Sequence, residues 1–242
     1  ADTDGYLPSQ RTTNFAAARD ATDATGTAQD AFSGQAVFVN KGSTRAGDDE
    51  WQIYRSYMAF DTSQVSASFN VYVATLKLAN FSGSFANGDI MIVKSNKPDL
   101  STDIATADWD DIPGISAGNT MDGNVTDYSS VIASGSWPTT NSTVITIDLN
   151  AAAVADIKSG DVLKLAIINY NYDYKNIDFD TTSEANGINF TDNTAGGGVL
   201  RPLLTLRWGF GHKVLGVTHG NIAKIAGIQD ERVKKVFSKD SS

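Results

Sequence analysis

The strongest constraint in this sequence is a period of two: short runs in which apolar and polar residues alternate recur along most of its length. Successive side chains of an extended chain point to opposite faces, so such a run buries one face and wets the other as a strand. Gln52 to Phe60 sets Tyr54, Ser56, Met58 and Phe60 on one face and Arg55, Tyr57 and Ala59 on the other. Val71 to Leu78 groups Ala74, Leu76 and Leu78 against Thr75 and Lys77, and Val144 to Leu149 groups Ile145, Ile147 and Leu149 against Thr146 and Asp148. Further strands are expected over Gln35 to Asn40, around Leu163, Leu165 and Ile167, and from Leu203 to Trp208. Asp89 to Val93 is apolar on both sides, which suits a central strand. One helix interrupts the pattern: Asn150 is a good N-cap, Ala151 to Lys158 are helix formers, and Gly160 can end it. At least seven short strands separated by Gly, Asn and Asp predict an all-β fold, an antiparallel β-sandwich or jelly roll.

Three parts are expected. Residues 1–34 are rich in Ala, Thr, Asp, Ser and Gly, with Phe15 and Phe32 as isolated anchors, and read as an extended N-terminal arm. Residues 35–208 hold the sandwich. Within them the polar stretch from Lys94 to Thr143 is expected to form loops on one edge. Residues 209–242 differ in charge: six Lys or Arg against three acids leave this tail at +3. Subtracting them from 19 bases and 28 acids leaves 13 against 25, so the body is −12.

The tail also repeats every 11 residues. Lys213-Val214-Leu215-Gly216-Val217 is followed by Lys224-Ile225-Ala226-Gly227-Ile228 and by Lys235-Val236-Phe237, while Asn221-Ile222-Ala223 aligns with Arg232-Val233-Lys234. A unit this short cannot bury its own apolar face, so it must stack on itself or on a partner. Lys213, Val214, Leu215, Val217, Ile222, Lys224, Ile225, Ile228, Val233, Val236 and Phe237 are therefore expected to mediate attachment or oligomerisation. An amphipathic helix packed on the sandwich is the alternative.

Two stretches resemble known families. Arg55 to Ser63, an Arg-led strand ending in Phe60-Asp61, precedes Ala74-Thr75-Leu76-Lys77-Leu78, and the body closes on Arg201-Pro202-Leu203-Leu204-Thr205-Leu206. This arrangement is similar to DNRLRE-type jelly-roll domains, which occur in secreted carbohydrate-binding proteins and in phage structural proteins. The tail rhythm resembles repeats at the ends of tailed-bacteriophage virion proteins, whose recurring word is Lys-Val-Asn-Gly-Val; here Leu215 and Ala226 stand in place of the Asn. The resemblance implies a non-enzymatic virion structural protein, such as a capsid decoration protein, head fibre or tail-associated fibre subunit. Its partners would be itself, as a trimer, other virion proteins, and host surface glycans. A carbohydrate-binding module of a phage or secreted protein is the alternative.

The chemistry that remains is sparse. The net charge of −9 argues against binding nucleic acid or anionic membranes, and no run approaches the ~18 apolar residues of a membrane span. There is no cysteine, which excludes disulfides and thiolate metal sites. The start, Ala1-Asp2-Thr3-Asp4, has no charged-then-apolar leader and suits Met removal or signal cleavage alike, so virion assembly in the cytosol and secretion both stay open. Both histidines, His212 and His219, lie in the tail, so no Ser-His-Asp triad can form within the sandwich. No cofactor is expected; calcium is the one ion that the acidic runs Asp48-Asp49-Glu50, Asp108 to Asp111 and Asp178 to Asp180 could hold as a structural element. A glycosidase would seek its carboxylate pair among Asp108, Asp110 and Asp111. Ligand stacking would fall to Trp51, Trp109 and Trp137, or to Tyr170, Tyr172 and Tyr174, which would share one strand face opposite Asn169, Asn171 and Asp173. Packing against the core or between sheets is the other role for these rings.

Overall fold

A computed structural model of the chain describes residues 3–29, 33–65, 69–180, 183–190 and 200–210. Nine strands and two α-helices lie among them: β1 (Thr3–Arg11), α1 (Phe15–Arg19), β2 (Ser33–Ser43), β3 (Asp49–Asp61), β4 (Phe69–Ala79), β5 (Ile90–Lys94), β6 (Val144–Leu149), α2 (Ala151–Ser159), β7 (Val162–Asn169), β8 (Ser183–Asn189) and β9 (Leu203–Phe210). They form two antiparallel sheets, a six-stranded one in which β5-β7-β3-β2-β8 is extended by β1 on β3, and a three-stranded one ordered β6-β4-β9. The fold is an antiparallel β-sandwich, as the alternation predicts.

β3 organises the large sheet. Gln52 pairs with both Gln10 and Asn40, and Tyr57 with both Gly5 and Ala166. Each strand has two edges, so β1 occupies one edge of β3, while β2 and β7 share the other, end to end. Both faces are buried. Met58, Phe60, Leu163, Leu165 and Ile167 join Ala74, Leu76, Leu78 and Ile147 of the small sheet, with α2 closing that layer through Ala153 and Ile157. On the opposite face Ile53, Tyr57, Ala166 and Ile168 pack under α1 and the long loops, against Phe15, Trp109, Met121 and Phe179. Two hydrophobic layers on one sheet explain why Arg55 to Ala59 are all 0% exposed, where simple alternation would leave one face wet.

Three elements differ from the sequence reading. Part of the stretch expected as an extended arm is β1 and α1, built into the body: Leu7, Ala18 and Arg19 are wholly buried. Polar spacing disguised this, because β1 contributes Ser9 and Asp4 to buried positions as well as Leu7. β5 is apolar on both sides but ends the strand path rather than lying at its centre. Its outer edge is covered by loop residues, with Ile90 bridging Ile132 and Val93 bridging Asp127. Finally, β7 stops at Asn169, and Tyr170–Tyr174 form a π-helical turn instead of a strand ladder. The Asn169 side chain accepts from the Tyr172 N–H at 2.9 Å, a local turn that competes with continuing the strand.

The helix α2 matches expectation closely. The Asn150 side chain accepts from Ala152 and Ala153 N–H, and Gly160 caps its end.

Candidate functional site

The loop side of the large sheet closes on a buried ionic centre. Arg55 reaches Asp173 through two hydrogen bonds of 2.8 Å, and both side chains are 0% exposed. Two further donors go to the Trp109 carbonyl at 3.0 Å and the Arg19 carbonyl at 3.1 Å, and its guanidinium lies 4.0 Å from the centre of the Trp109 ring. Arg19 donates to the Asp173 backbone carbonyl at 2.7 Å, to the Asn119 carbonyl at 2.8 Å and to Asp20. The Tyr57 hydroxyl donates to the Trp109 carbonyl at 2.6 Å. Burial alone would lower the pKa of Arg55, but the charge and hydrogen bonds of Asp173 outweigh it and raise it; burial pushes the Tyr57 hydroxyl up, against Arg55. A buried, hydrogen-bonded pair of this kind clamps segments together, here α1, β3, the long loop and the π-helical turn. It is a fastening, closed to solvent.

Of the ligand-binding aromatics expected from sequence, Trp51, Trp109 and Tyr174 are buried on this loop side, Trp137 is buried in the layer between the sheets, and Tyr170 and Tyr172 are half-buried. Trp51, Trp109 and Trp137 are 9%, 0% and 3% exposed. The Trp51 indole donates to Asp178 at 3.0 Å and the Trp137 indole to Asn80 at 3.2 Å. Tyr170 stacks on Tyr174 at 5.4 Å, and Tyr172 meets Phe179 edge-on at 5.0 Å. The Tyr174 hydroxyl donates to both Asp127 oxygens at 3.0 Å, and burial raises the pKa of each partner. Sugar stacking needs an exposed ring face, so burial counts against Trp51, Trp109, Trp137 and Tyr174 as a platform, while Tyr170 and Tyr172 are half-buried. The acidic runs are likewise engaged. Asp49 and Asp180 both hold Lys41, at 3.1 and 3.2 Å, and Asp108 caps the Ala105 N–H at 2.9 Å. Among the described residues no three His, Asp or Glu side chains converge as a metal site would require. The expected attachment residues from Lys213 to Phe237 lie outside the described residues.

The small sheet is different, because no other described element packs on its outer face. Alternation along β4, β6 and β9 turns Val73, Thr75, Lys77, Thr146, Asp148, Thr205 and Arg207 outward, around a hollow of about 490 Å³. The register sets Thr75 between Asp148 and Thr205, and Lys77 between Thr146 and Leu203. Two cations, one carboxylate and three hydroxyls thus share one face, a donor and acceptor set suited to a polar partner. At the end of this sheet a bulge at Tyr72 interrupts the pairing between Val71↔Trp208 and Val73↔Arg207. Tyr72 and Trp208 are 43% and 37% exposed, the aromatic rings most open to solvent among the described residues. Sequence reading missed both because each sits in a run that scores as strand; only the bulge and the end of the sheet expose them.

Among the described residues β6 is also an edge strand, paired only with β4. Beside it a cleft of about 540 Å³ runs between Ile145–Asp148 and the loop residues Ser130–Ala133. Among the described residues no helix is long and apolar enough to cross a membrane. No protein-family model and no curated protein matches this chain.

Proposed function

We propose that the chain is a non-enzymatic structural subunit of a tailed-bacteriophage particle, displaying its β-sandwich and attached through its basic C-terminal tail. One observation carries this reading: among the described residues the large sheet is sheathed on both faces, while the small sheet keeps an open face and an open edge, and the chain leads into the repeat tail from that same sheet after Phe210. Body and tail carry charges of opposite sign, −12 and +3, which favours tail-to-body contact between copies. Many copies on one surface would turn weak contacts into firm attachment.

Two measurements test it. Immunogold labelling of particles produced by the genome that encodes the chain should decorate head or tail; unlabelled particles would sink the reading. Light scattering should give a defined oligomer for the full chain and a monomer for a chain ending at Phe210. That cut respects β9, which pairs through Phe210↔Phe69 and so extends beyond the Trp208 boundary expected from sequence.

A second reading, glycan binding by the same sheet, is favoured by the exposure of Tyr72 and Trp208 at its end, although Trp208 alternates onto the side of Leu204 and Leu206 and neither ring lines the polar hollow. Binding to a glycan array that disappears in Trp208→Ala and in Asp148→Ala would support it; an array with no positive spot would end it.

A further inference from the structure

We propose that the cleft along β6 is a strand-acceptor site, and that its occupant is the first tail word, Lys213–Val217, of a second copy of this chain. The inference rests on the reading of the tail as an assembly element and names the surface it docks on.

The argument begins with hydrogen-bond parity. The Asn80 N–H donates to the Thr143 carbonyl at 2.9 Å, and the register continues as Ala79↔Val144 and Leu78↔Ile145. Antiparallel pairs alternate between hydrogen-bonded and non-hydrogen-bonded. Ile145 and Ile147 therefore spend their backbone groups on β4, while those of Val144, Thr146 and Asp148 point away from it. Nothing among the described residues bonds to them. The opposite wall has the same property: Ile90 and Ile132 exchange both their hydrogen bonds, at 3.0 and 2.9 Å, so the backbone of Val131 faces the cleft. Val131, 38% exposed, is an apolar lip of the slot, and Val144, 44% exposed, stands next to the slot at the start of β6. Among the described residues the backbone on both sides is unpaired. An added strand answers such a slot with ladder hydrogen bonds and alternate side chains.

The tail word has the right chemistry. Lys213-Val214-Leu215-Gly216-Val217 is short, β-prone and led by a cation, and Asp148 lies at the cleft wall. Reach decides which copy supplies it. Phe210 pairs with Phe69, six residues along β4 from Thr75, the partner of Asp148. β9 and β6 flank β4 on opposite sides. At ~3.3 Å per residue and ~4.8 Å per strand, the cleft is more than about 20 Å from Phe210. Val214 follows Phe210 by four residues, a reach of only about 13 Å. The first word cannot lie along the cleft of its own body, so it enters that of a neighbour.

The test uses full-length chains and exploits the absence of cysteine. Thr146→Cys in a tagged copy and Leu215→Cys in an untagged copy are mixed and treated with a short bis-maleimide. The expected product is a mixed species of one tagged and one untagged chain. Separately, Thr146→Pro should weaken self-association at least tenfold, since its ring blocks an N–H that faces the cleft and not β4. If the double variant Thr146→Cys/Leu215→Cys cross-links only within single chains, the occupant is the chain's own tail and the proposal fails. If the full chain oligomerises with no mixed cross-link and Thr146→Pro changes nothing, the cleft is wrong although tail-driven assembly stands. A monomeric full chain overturns the inference and leaves the particle-labelling experiment to judge the tail as an anchor to another protein.

Discussion

At the scale of single residues, the decisive group is Asp173, which meets Arg55 and Arg19 where four segments converge. Arg55→Ala leaves that carboxylate buried without its partner, which costs about 3–5 kcal/mol. Urea denaturation should show the loss, and the Arg55→Met/Asp173→Leu pair should lose less than the two single changes summed. A backbone position is as strict. Gly114 has φ +92°, and a Cβ there would run into the Asn124 carbonyl oxygen. Gly114→Ala is therefore expected to cost more than about 1 kcal/mol, measured the same way. Asp156 supplies a pH dependence. Burial alone would raise its pKa, but hydrogen bonds from Tyr128 at 2.5 Å and Lys94 at 2.9 Å outweigh that and hold it below the usual carboxylate range. A depressed carboxyl stabilises above its unfolded pKa and loses that contribution as pH falls through the folded one. Asp156→Asn should thus flatten the acid limb of a stability–pH curve. The change should stay under about 1 kcal/mol, because both partners are about a third exposed and screened.

Among the secondary elements, α2 and β6 behave differently under substitution. Asn150 caps α2 at 2.9 and 3.2 Å and also holds the Asp127 carbonyl at 2.8 Å. Asn150→Ala should cost roughly 1 kcal/mol in thermal or urea melts. In β6 neighbouring positions separate sharply. Ile147→Pro removes a ladder hydrogen bond and a side chain only 5% exposed, so it should abolish cooperative unfolding. Thr146→Pro faces the open edge and should leave the melt close to that of the parent. Equal damage from both would refute the parity assigned to this strand.

At the scale of the whole molecule, the described residues form a sheathed large sheet carrying a small one that they leave open. That asymmetry predicts opposite results at the two ends of the chain. Deleting residues 1–29 strips β1 from β3 and removes the buried Leu7 and Phe15, each contributing about 1.5–3 kcal/mol, together with Arg19 of the ionic centre. This variant should fail to give a sharp one-dimensional NMR spectrum. Ending the chain at Phe210 removes no described strand and should keep one.

The sequence alone determined what local pattern and chemistry dictate. Alternation in Val71 to Leu78 and Val144 to Leu149 specified strands and their inward faces, and Asn150 specified the start of a helix. The sequence also carried the charge split and the tail repeat, because both are written in order along the chain. Tertiary structure decided everything that depends on distant segments meeting. It made Arg55 and Asp173, 118 residues apart, into one clamp, and it buried Trp51, Trp109 and Trp137 while leaving Tyr72 and Trp208 open. It turned polar residues 3–11 into a strand and bent the Tyr170–Tyr174 run into a turn. Burial, edge position and hydrogen-bond parity belong to neighbours rather than to residues, so the open edge of β6 existed only once the two sheets had packed.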